Sequence, residues 1–456
     1  MKEFLCKSDS SITLKEHSII VSKQIDIITK TYNITDIKII KAAKCAALFH
    51  DIGKTSKYFQ DKLKNLEISK QYPRHSEIGY GLMKLIIDKN YGFFDENSWI
   101  DLVEDVVLYH HDPYNIEMLL SEIYTNEEIF DIIEYYNIII KELGLEDYVR
   151  LKDEINVEDD DIIVGNKKNL NTILDGENKE NLKRQTNFEL IFKIVRESDR
   201  IASSMNYITE DNFIKQFPEI EFVFPEHYDK NRWEEQLEVA QKSMSMKNSV
   251  VEATMGWGKT QMGVFYLLKL GKRGFWVCPD NTICTSTYRN ILKILNDCKI
   301  FNIKVCLIIN GKYIGDSYVN ADIIVTNIDT ITNDIFRNLR KDISFDFLFS
   351  NCIFDEFHEY ALTDTPLLSR FLTINNARKK IESVNTMLMS GTIINNGFIN
   401  VDENNIIKAE KSNLAKEKKV YVKFIEYNDM LAKIENKEIN DFFIINTNID
   451  TAQQFF

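Results

Sequence analysis

Five of the seven histidines fall between residues 17 and 111: His17, His50, His75, His110 and His111. His50 is followed by Asp51 in CAALFHDIGKTSKYF, the last two are adjacent in VVLYHHDP, and Asp199 lies downstream in VRESDRIASS. Imidazoles and carboxylates gathered in this way bind divalent metals. A carboxylate at Asp51, with imidazoles on either side, can bridge two cations. Two metals about 4 Å apart can activate a water and stabilise both oxygens of a phosphodiester displacement. Nitrogen and oxygen ligands without thiolates suit Mn, Fe, Co, Ni or Mg ions better than a sulfur-rich zinc site. Lys54, one turn beyond His50, is placed to stabilise charge on a phosphate, with Lys57 and Arg74 as weaker candidates. A lone histidine on an apolar helix is usually a structural residue, so the reading rests on the group and not on His17 alone.

A second chemistry begins some 140 residues after His111. The string ATMGWGKT occupies residues 253–260, directly after the apolar run SVVEA. It is a GxxxxGKT phosphate loop with Ala253 in place of the first glycine. Thr254, Gly256 and Gly258 form the loop whose backbone N–H groups surround phosphate, Lys259 reaches the β and γ phosphates, and Thr260 helps hold magnesium. The partner is FDEFHEY. Asp355 would hold magnesium through water, Glu356 would orient or activate the attacking water, and His358 would report on the γ phosphate. His358 thus belongs with ATP and not with the metal-binding histidines. Ser390, Gly391 and Thr392 close the run TMLMS and are suited to link nucleotide state to domain motion. IIVTNIDTIT at 323–332 is placed to touch a nucleic acid backbone, and Gln241 in WEEQLEVAQ is a candidate adenine reader.

These residues need two kinds of scaffold. Apolar residues recur at helical spacing through residues 12–145 and again around Asp199, so rigid helices would hold the metal ligands. From about residue 241, short β-branched runs (NSVVEAT, RGFWVCP, IKVCLIIN, ADIIVTN, NCIFDE, TMLMSGT) alternate with helical stretches, the pattern of a mostly parallel α/β sheet. The expected organisation is an all-α domain over 1–208, with an acidic, asparagine-rich insertion or loop at 152–184. A connector at 209–240 and an α/β RecA-like domain over 241–415 follow, and 416–456 begins a second such domain. The 456 residues suit two to four domains. The net charge of −14 argues against a uniformly nucleic-acid-coating surface while allowing a basic channel. Basic segments at 337–341 and 376–381 are candidates for backbone contacts. The seven cysteines have no CxxC pair, which argues against a disulfide framework or structural zinc. There is no signal-type N-terminus or membrane-length apolar run, so a cytoplasmic protein is expected.

The order HD, H, HH, D, then ATxxGxGKT, DExH and SGT resembles the helicase–nuclease of type I CRISPR systems. The resemblance implies an HD nuclease domain fused to a superfamily 2 helicase. Its first metal position would be served by His17, His50, Asp51 and Asp199. Its second would be served by Asp51, His75, His110 and His111. It further implies two divalent ions, ATP with Mg2+, single-stranded DNA as substrate, 3′-to-5′ translocation, and recruitment by a guide-RNA effector complex. Only about 40 residues follow position 416 and no arginine-finger motif is among them. That implies a fragment, an interrupted gene product, or half of a system completed by another chain, which binds ATP but unwinds weakly or not at all alone. Two alternatives stand beside this: an HD phosphohydrolase acting on nucleotides with a regulatory ATPase domain, and a DNA-binding recruitment module with an inactive motor.

Overall fold

The computed structural model describes residues 3–7, 12–64, 71–92, 97–111, 116–157, 162–164, 179–204, 220, 222–254, 256–337, 341–362, 365–391 and 403–409. The first half is helical: α1 (Leu14–Thr31), α2 (Ile37–Phe49), α3 (Lys57–Leu63), α4 (His75–Ile86) and α5 (Asn97–Tyr109). A two-stranded ribbon, β1 (Met118–Leu119) with β2 (Ile163–Val164), brackets α6 (Asn126–Glu142), and the long α7 (Lys179–Ser204) completes the bundle. The helices start where local chemistry dictates. Thr13 and Glu16 form a capping box on α1, Thr125 and Glu128 form one on α6, and Asp36 accepts from Lys38 N–H at the start of α2.

The second half opens with α8 (Lys230–Met244) and β3 (Asn248–Ala253). It continues through α9 (Lys259–Leu270), β4 (Gly274–Cys278), α10 (Asn281–Asp297), β5 (Val305–Ile309), β6 (Lys312–Gly315) and β7 (Ile323–Asn327). Next come α11 (Ile328–Arg337), α12 (Lys341–Leu348), β8 (Asn351–Phe354), α13 (His358–Leu362), α14 (Thr365–Lys379), β9 (Thr386–Ser390) and β10 (Ile406–Ala409). The strands form one sheet in the order β10–β3–β9–β8–β4–β7–β5–β6, parallel throughout except for the antiparallel edge pair β5–β6. The buried strands read as continuous apolar runs because both faces are covered.

One buried cluster runs from the helical bundle onto one face of this sheet, and a second fills the other face. The two halves therefore share a core. Tyr32 of α1's C-terminus packs edge-on against Phe345 and at a tilt against Phe349, Lys380 pairs with Asp36 at 2.8 Å, and buried Lys193 of α7 donates to the Ile335 carbonyl at the end of α11 at 3.0 Å. Residues 1–410 accordingly pack as one unit.

Three expectations change in detail. Helix α7 begins at Lys179, inside the segment expected to be an insertion; in its first turns Glu180, Asn181 and Lys183 are exposed and Leu182 and Arg184 only partly buried, so no apolar period marks them. The end of the expected connector, from Lys230, belongs to α8, whose Trp233 packs edge-on against Phe265 of α9. In the basic segment 376–381, Arg378 is buried, 1% exposed, and is not available to a nucleic acid backbone. Its guanidinium instead binds the carbonyls of Phe347, Ser350 and Asn385 at 2.5, 2.7 and 3.0 Å and the Thr386 hydroxyl at 2.9 Å. The second RecA-like domain expected at 416–456, Thr392, residues 338–340 of the other basic segment, and 158–161 and 165–178 of the expected insertion lie outside the described residues.

Candidate metal centre and nucleotide site

His50 caps the C-terminus of α2, and Asp51 opens a short 3-10 turn, Ile52–Thr55. This turn lies against the start of α4: a Cβ on Gly53 would sit 2.0 Å from the His75 carbonyl oxygen. Only glycine allows that approach, which brings Asp51 to His75. Asp51 is 2% exposed, and its two oxygens face different partners. Oδ2 lies 3.4 Å from His17 Nε2 and 3.4 Å from His50 Nε2, while Oδ1 lies 3.2 Å from His75 Nε2 and 3.9 Å from His110 Nε2. Asp199, on α7, reaches the first group, with Oδ1 3.1 Å from His17 Nε2 and 3.7 Å from His50 Nε2. His111 joins the second group, its ring 4.7 Å from that of His75 and 4.4 Å from that of His110.

The rings are oriented from behind. His50 Nδ1 and His110 Nδ1 bond the carbonyls of Ala47 and Val107 at 2.7 and 2.6 Å, which leaves each Nε2 for the centre. His50 Nε2 is buried without a hydrogen-bond partner, an orphan that a metal ion would satisfy. His17, His50 and Asp199 form one set of mutually close ligand atoms, and His75, His110 and His111 form another. The residues present therefore fit divalent cations in two neighbouring positions.

Charge is balanced unevenly across these sets. Burial works to lower the His50 imidazole, but the Asp51 and Asp199 carboxylates outweigh it and raise it to about 8. Burial and the neighbouring His75 lower His111 to about 4, and burial with His75 and His111 holds His110 well below the usual imidazole range. Asp51 is held well below the carboxylate range despite its burial, chiefly by Lys54 and then His50. Lys54 Nζ lies 2.6 Å from Asp51 Oδ2, so its ammonium faces the bridging carboxylate.

The nucleotide residues converge at the C-terminal ends of β3, β8 and β9. Gly256 and Gly258 have positive φ, +77° and +102°, and Gly258 is the N-cap of α9, so Lys259 and Thr260 open the helix. A Cβ on Gly258 would stand 2.1 Å from Gln236 Nε2. Lys259 pairs with Glu356, a non-glycine residue at φ +45°. Gly391 N–H donates to Glu356 Oε2 at 3.2 Å, and Ser390 Oγ lies 2.8 Å from His358 Nδ1, so the SGT segment touches the DExH segment directly. Asp355 accepts from Trp276 Nε1–H at 3.2 Å. Burial and the adjacent Glu356 push its carboxyl up to about 6, which a bound cation would reverse.

The model of the family "HD domain" matches residues 14–147, and that of "DEAD/DEAH box helicase" matches residues 233–398. The chain joins an HD domain to a DEAD/DEAH box helicase domain. Among solved structures, Cas3 of T. fusca is similar with a TM-score of 0.49 at 13% identity, over 83% of this chain and 48% of that one. The UvsW helicase of bacteriophage T4 follows with a TM-score of 0.30 at 13% identity, over 48% and 78%. The E. coli DExH-box NTPase HrpB has a TM-score of 0.30 at 17% identity, over 38% and 20%. The chain thus spans about half the length of the Cas3 structure. No curated protein matches it.

In the HD domain, His17, His50, Asp51, His75, His110, His111 and Asp199 all come together, although Asp199 lies beyond the matched HD segment. In the helicase domain, Lys259, Asp355, Glu356 and His358 cluster, with Thr260 one residue along. Gln241, the candidate adenine reader, is exposed on α8, and Gln236 is the glutamine against the phosphate loop, its Nε2–H donating to the Trp257 carbonyl at 2.9 Å. Five residues separate the two glutamines, or about 140° around a helix, so they cannot share a face. Arg232 reinforces Gln236 by donating to the carbonyls of Trp257 and Gly256. The spacing of Trp233, Gln236 and Ala240, all buried on one stripe, was the available signal. A second unforeseen residue is Cys6, whose Sγ lies 3.8 Å from Asp51 Oδ2. Among the described residues, no helix is long and apolar enough to cross a membrane.

Proposed function

We propose that the HD domain is a divalent-metal nuclease for single-stranded DNA and that the helicase domain uses ATP to move DNA 3′-to-5′, as in the helicase–nucleases of type I CRISPR systems. A guide-RNA effector complex would then be the recruiting partner. The observation that carries the nuclease reading is the divided Asp51 carboxylate, with one oxygen toward His17 and His50 and the other toward His75 and His110. Two cations would be held by His17, His50, Asp51 and Asp199, and by Asp51, His75, His110 and His111. When bound, they would supply Lewis-acid activation of a water and of the phosphate.

The chain's own residues do the rest. Carbonyl bonds behind His50 and His110 hold the rings in place, so no reorganisation is needed when substrate arrives. Lys54 offsets the Asp51 charge and supplies a cation beside the site. In the helicase domain, Lys259 must leave Glu356 to bind the β and γ phosphates. That exchange would free Glu356 to orient water; Thr260 and Asp355 would hold magnesium when it is bound, and His358 would pass the change to Ser390.

The test is cleavage of circular single-stranded DNA by the full chain with Mn2+ or Co2+, with and without ATP, beside Asp51→Ala. Metal-dependent cutting lost in the variant is expected; cutting undiminished by the substitution would sink the site. Hydrolysis of mononucleotides with no cutting of DNA would select the phosphohydrolase reading.

A further inference from the structure

The N-terminal segment is not a loose tail over the HD site. Leu5 bridges Thr13, Leu14 N–H donates to the Phe4 carbonyl at 2.8 Å, and Cys6 N–H donates to the Ile12 carbonyl at 3.1 Å. Gln60 clamps the segment by accepting from Leu5 N–H and donating to the Leu5 carbonyl, both at 3.0 Å. Alternation then turns Phe4 and Cys6 inward. Phe4 packs edge-on against Tyr135, and Cys6, 4% exposed, meets the metal-binding residues.

There Cys6, His17 and Asp51 each offer a ligand atom, all within 4.8 Å of one another. A thiolate sulfur and a carboxylate oxygen sharing one five-coordinate ion, at angles of about 90–120°, stand roughly 3.1–3.8 Å apart, from metal distances of about 2.3 and 2.1 Å. Cys6 Sγ and Asp51 Oδ2 are separated by 3.8 Å. The oxygen concerned is the one facing His17 and His50, so the sulfur belongs to the first position and not the second. The orphaned, fully buried His50 Nε2 points into the same position. Lys54 Nζ lies 3.6 Å from Sγ, but burial and the Asp51 carboxylate push the metal-free thiol up to about 12, so it is a bound cation that would make it a thiolate.

We infer that Cys6 is a thiolate ligand of the cation held by His17, His50, Asp51 and Asp199, and that this position therefore prefers thiophilic ions such as Co2+, Zn2+ or Fe2+ over Mg2+ and Mn2+. Coordination releases the thiol proton to solvent, and the second position keeps only nitrogen and oxygen ligands. The inference rests on the metal-centre reading above and assigns the first position a ligand and a selectivity of its own.

The test titrates Co2+ into the metal-free full chain and records its absorption. Visible ligand-field bands report any nitrogen–oxygen site, and a near-ultraviolet sulfur-to-cobalt band reports Cys6 alone. Both are expected in the unmodified protein and in Cys45→Ser, and only the visible bands in Cys6→Ser and Cys6→Ala. Zn2+ affinity should fall about tenfold to a hundredfold in Cys6→Ser, with Mn2+ affinity changed much less. Visible bands without the sulfur band in the unmodified protein would overturn the inference and leave the metal centre standing. So would a sulfur band that survives Cys6→Ser. No cobalt bands at all would remove both. Should the variants fail to fold, X-ray absorption of the unmodified cobalt protein decides, since a sulfur neighbour at about 2.3 Å is required.

Discussion

The metal centre and the nucleotide site handle charge in opposite ways. In the HD domain, ligands from five helices or their ends and a short turn are fixed before any ion arrives, with carbonyls bonding the backs of His50 and His110 and an orphaned nitrogen left facing inward. In the helicase domain, the charges are spent on each other. Lys259 is bound to Glu356, Glu356 also holds Gly391 N–H, and its own backbone sits in the left-handed region. Its own burial and the neighbouring Glu356 charge raise Asp355. On the proposed function, one site is arranged to hold ions and the other to rearrange when phosphate arrives. A nuclease centre gains from rigidity, because misplacement of a ligand costs rate. A motor gains from a pair that must break, because only then does binding change the structure.

The contrast breaks first if the two sites prove inseparable. Asp51→Ala should remove metal-dependent cleavage by on the order of a hundredfold or more while leaving ATP binding intact. Lys259→Ala should do the reverse, abolishing nucleotide binding and any effect of ATP while leaving cleavage of already single-stranded DNA. Cleavage assays and fluorescent-nucleotide titration on both variants measure this. Loss of both activities in either variant would mean that the shared core transmits more than the rigid reading allows.

A smaller effect sharpens the account of the phosphate loop. Gln236 fills the space a side chain at position 258 would need and caps the buried Trp257 carbonyl. Gln236→Ala removes that hydrogen bond and lets the loop relax, at a cost of about 1–1.5 kcal/mol, or roughly tenfold in nucleotide affinity. Gln241→Ala, on the exposed face, should change nothing measurable. Equal effects from the two would undo the assignment.

The histidines were legible because each lies in or at the end of an apolar, helix-periodic segment, where a polar imidazole stands out. The phosphate loop was legible because Gly258 and Lys259 sit between a strand and a helix. Cys6 was not, for its partner is 45 residues away and MKEFLCK is too short to show a period; only the inward alternation of Phe4 and Cys6 hints at it. Gln236 was passed over for Gln241 because both suit a polar helix, and burial alone separates them. Arg378 read as surface charge, since its carbonyl partners lie at the end of α12 and just before β8 and β9 and leave no trace in its neighbours. Position along the chain told the order of the domains, but the core they share arises from contacts that sequence spacing does not carry.

The smallest expected effect distinguishes the two halves of the metal centre. In the metal-free protein at pH 7, His50, raised to about 8, carries a proton, whereas His111, lowered to about 4, and His110, lower than usual, do not. A metal ion needs the neutral imidazole. Loading the first position therefore expels the His50 proton, while loading the second expels none. Affinity at the first position should rise with pH up to about 8 and then level off, since above that value His50 is already neutral; the second should stay flat across the same range. Using Cys6→Ser keeps the thiol proton out of the count. Calorimetry of Mn2+ binding in two buffers of different ionisation enthalpy should then find about one proton released per chain at pH 7 and close to none at pH 9. Release that is equal at both pH values would show that His50 is not the charged member.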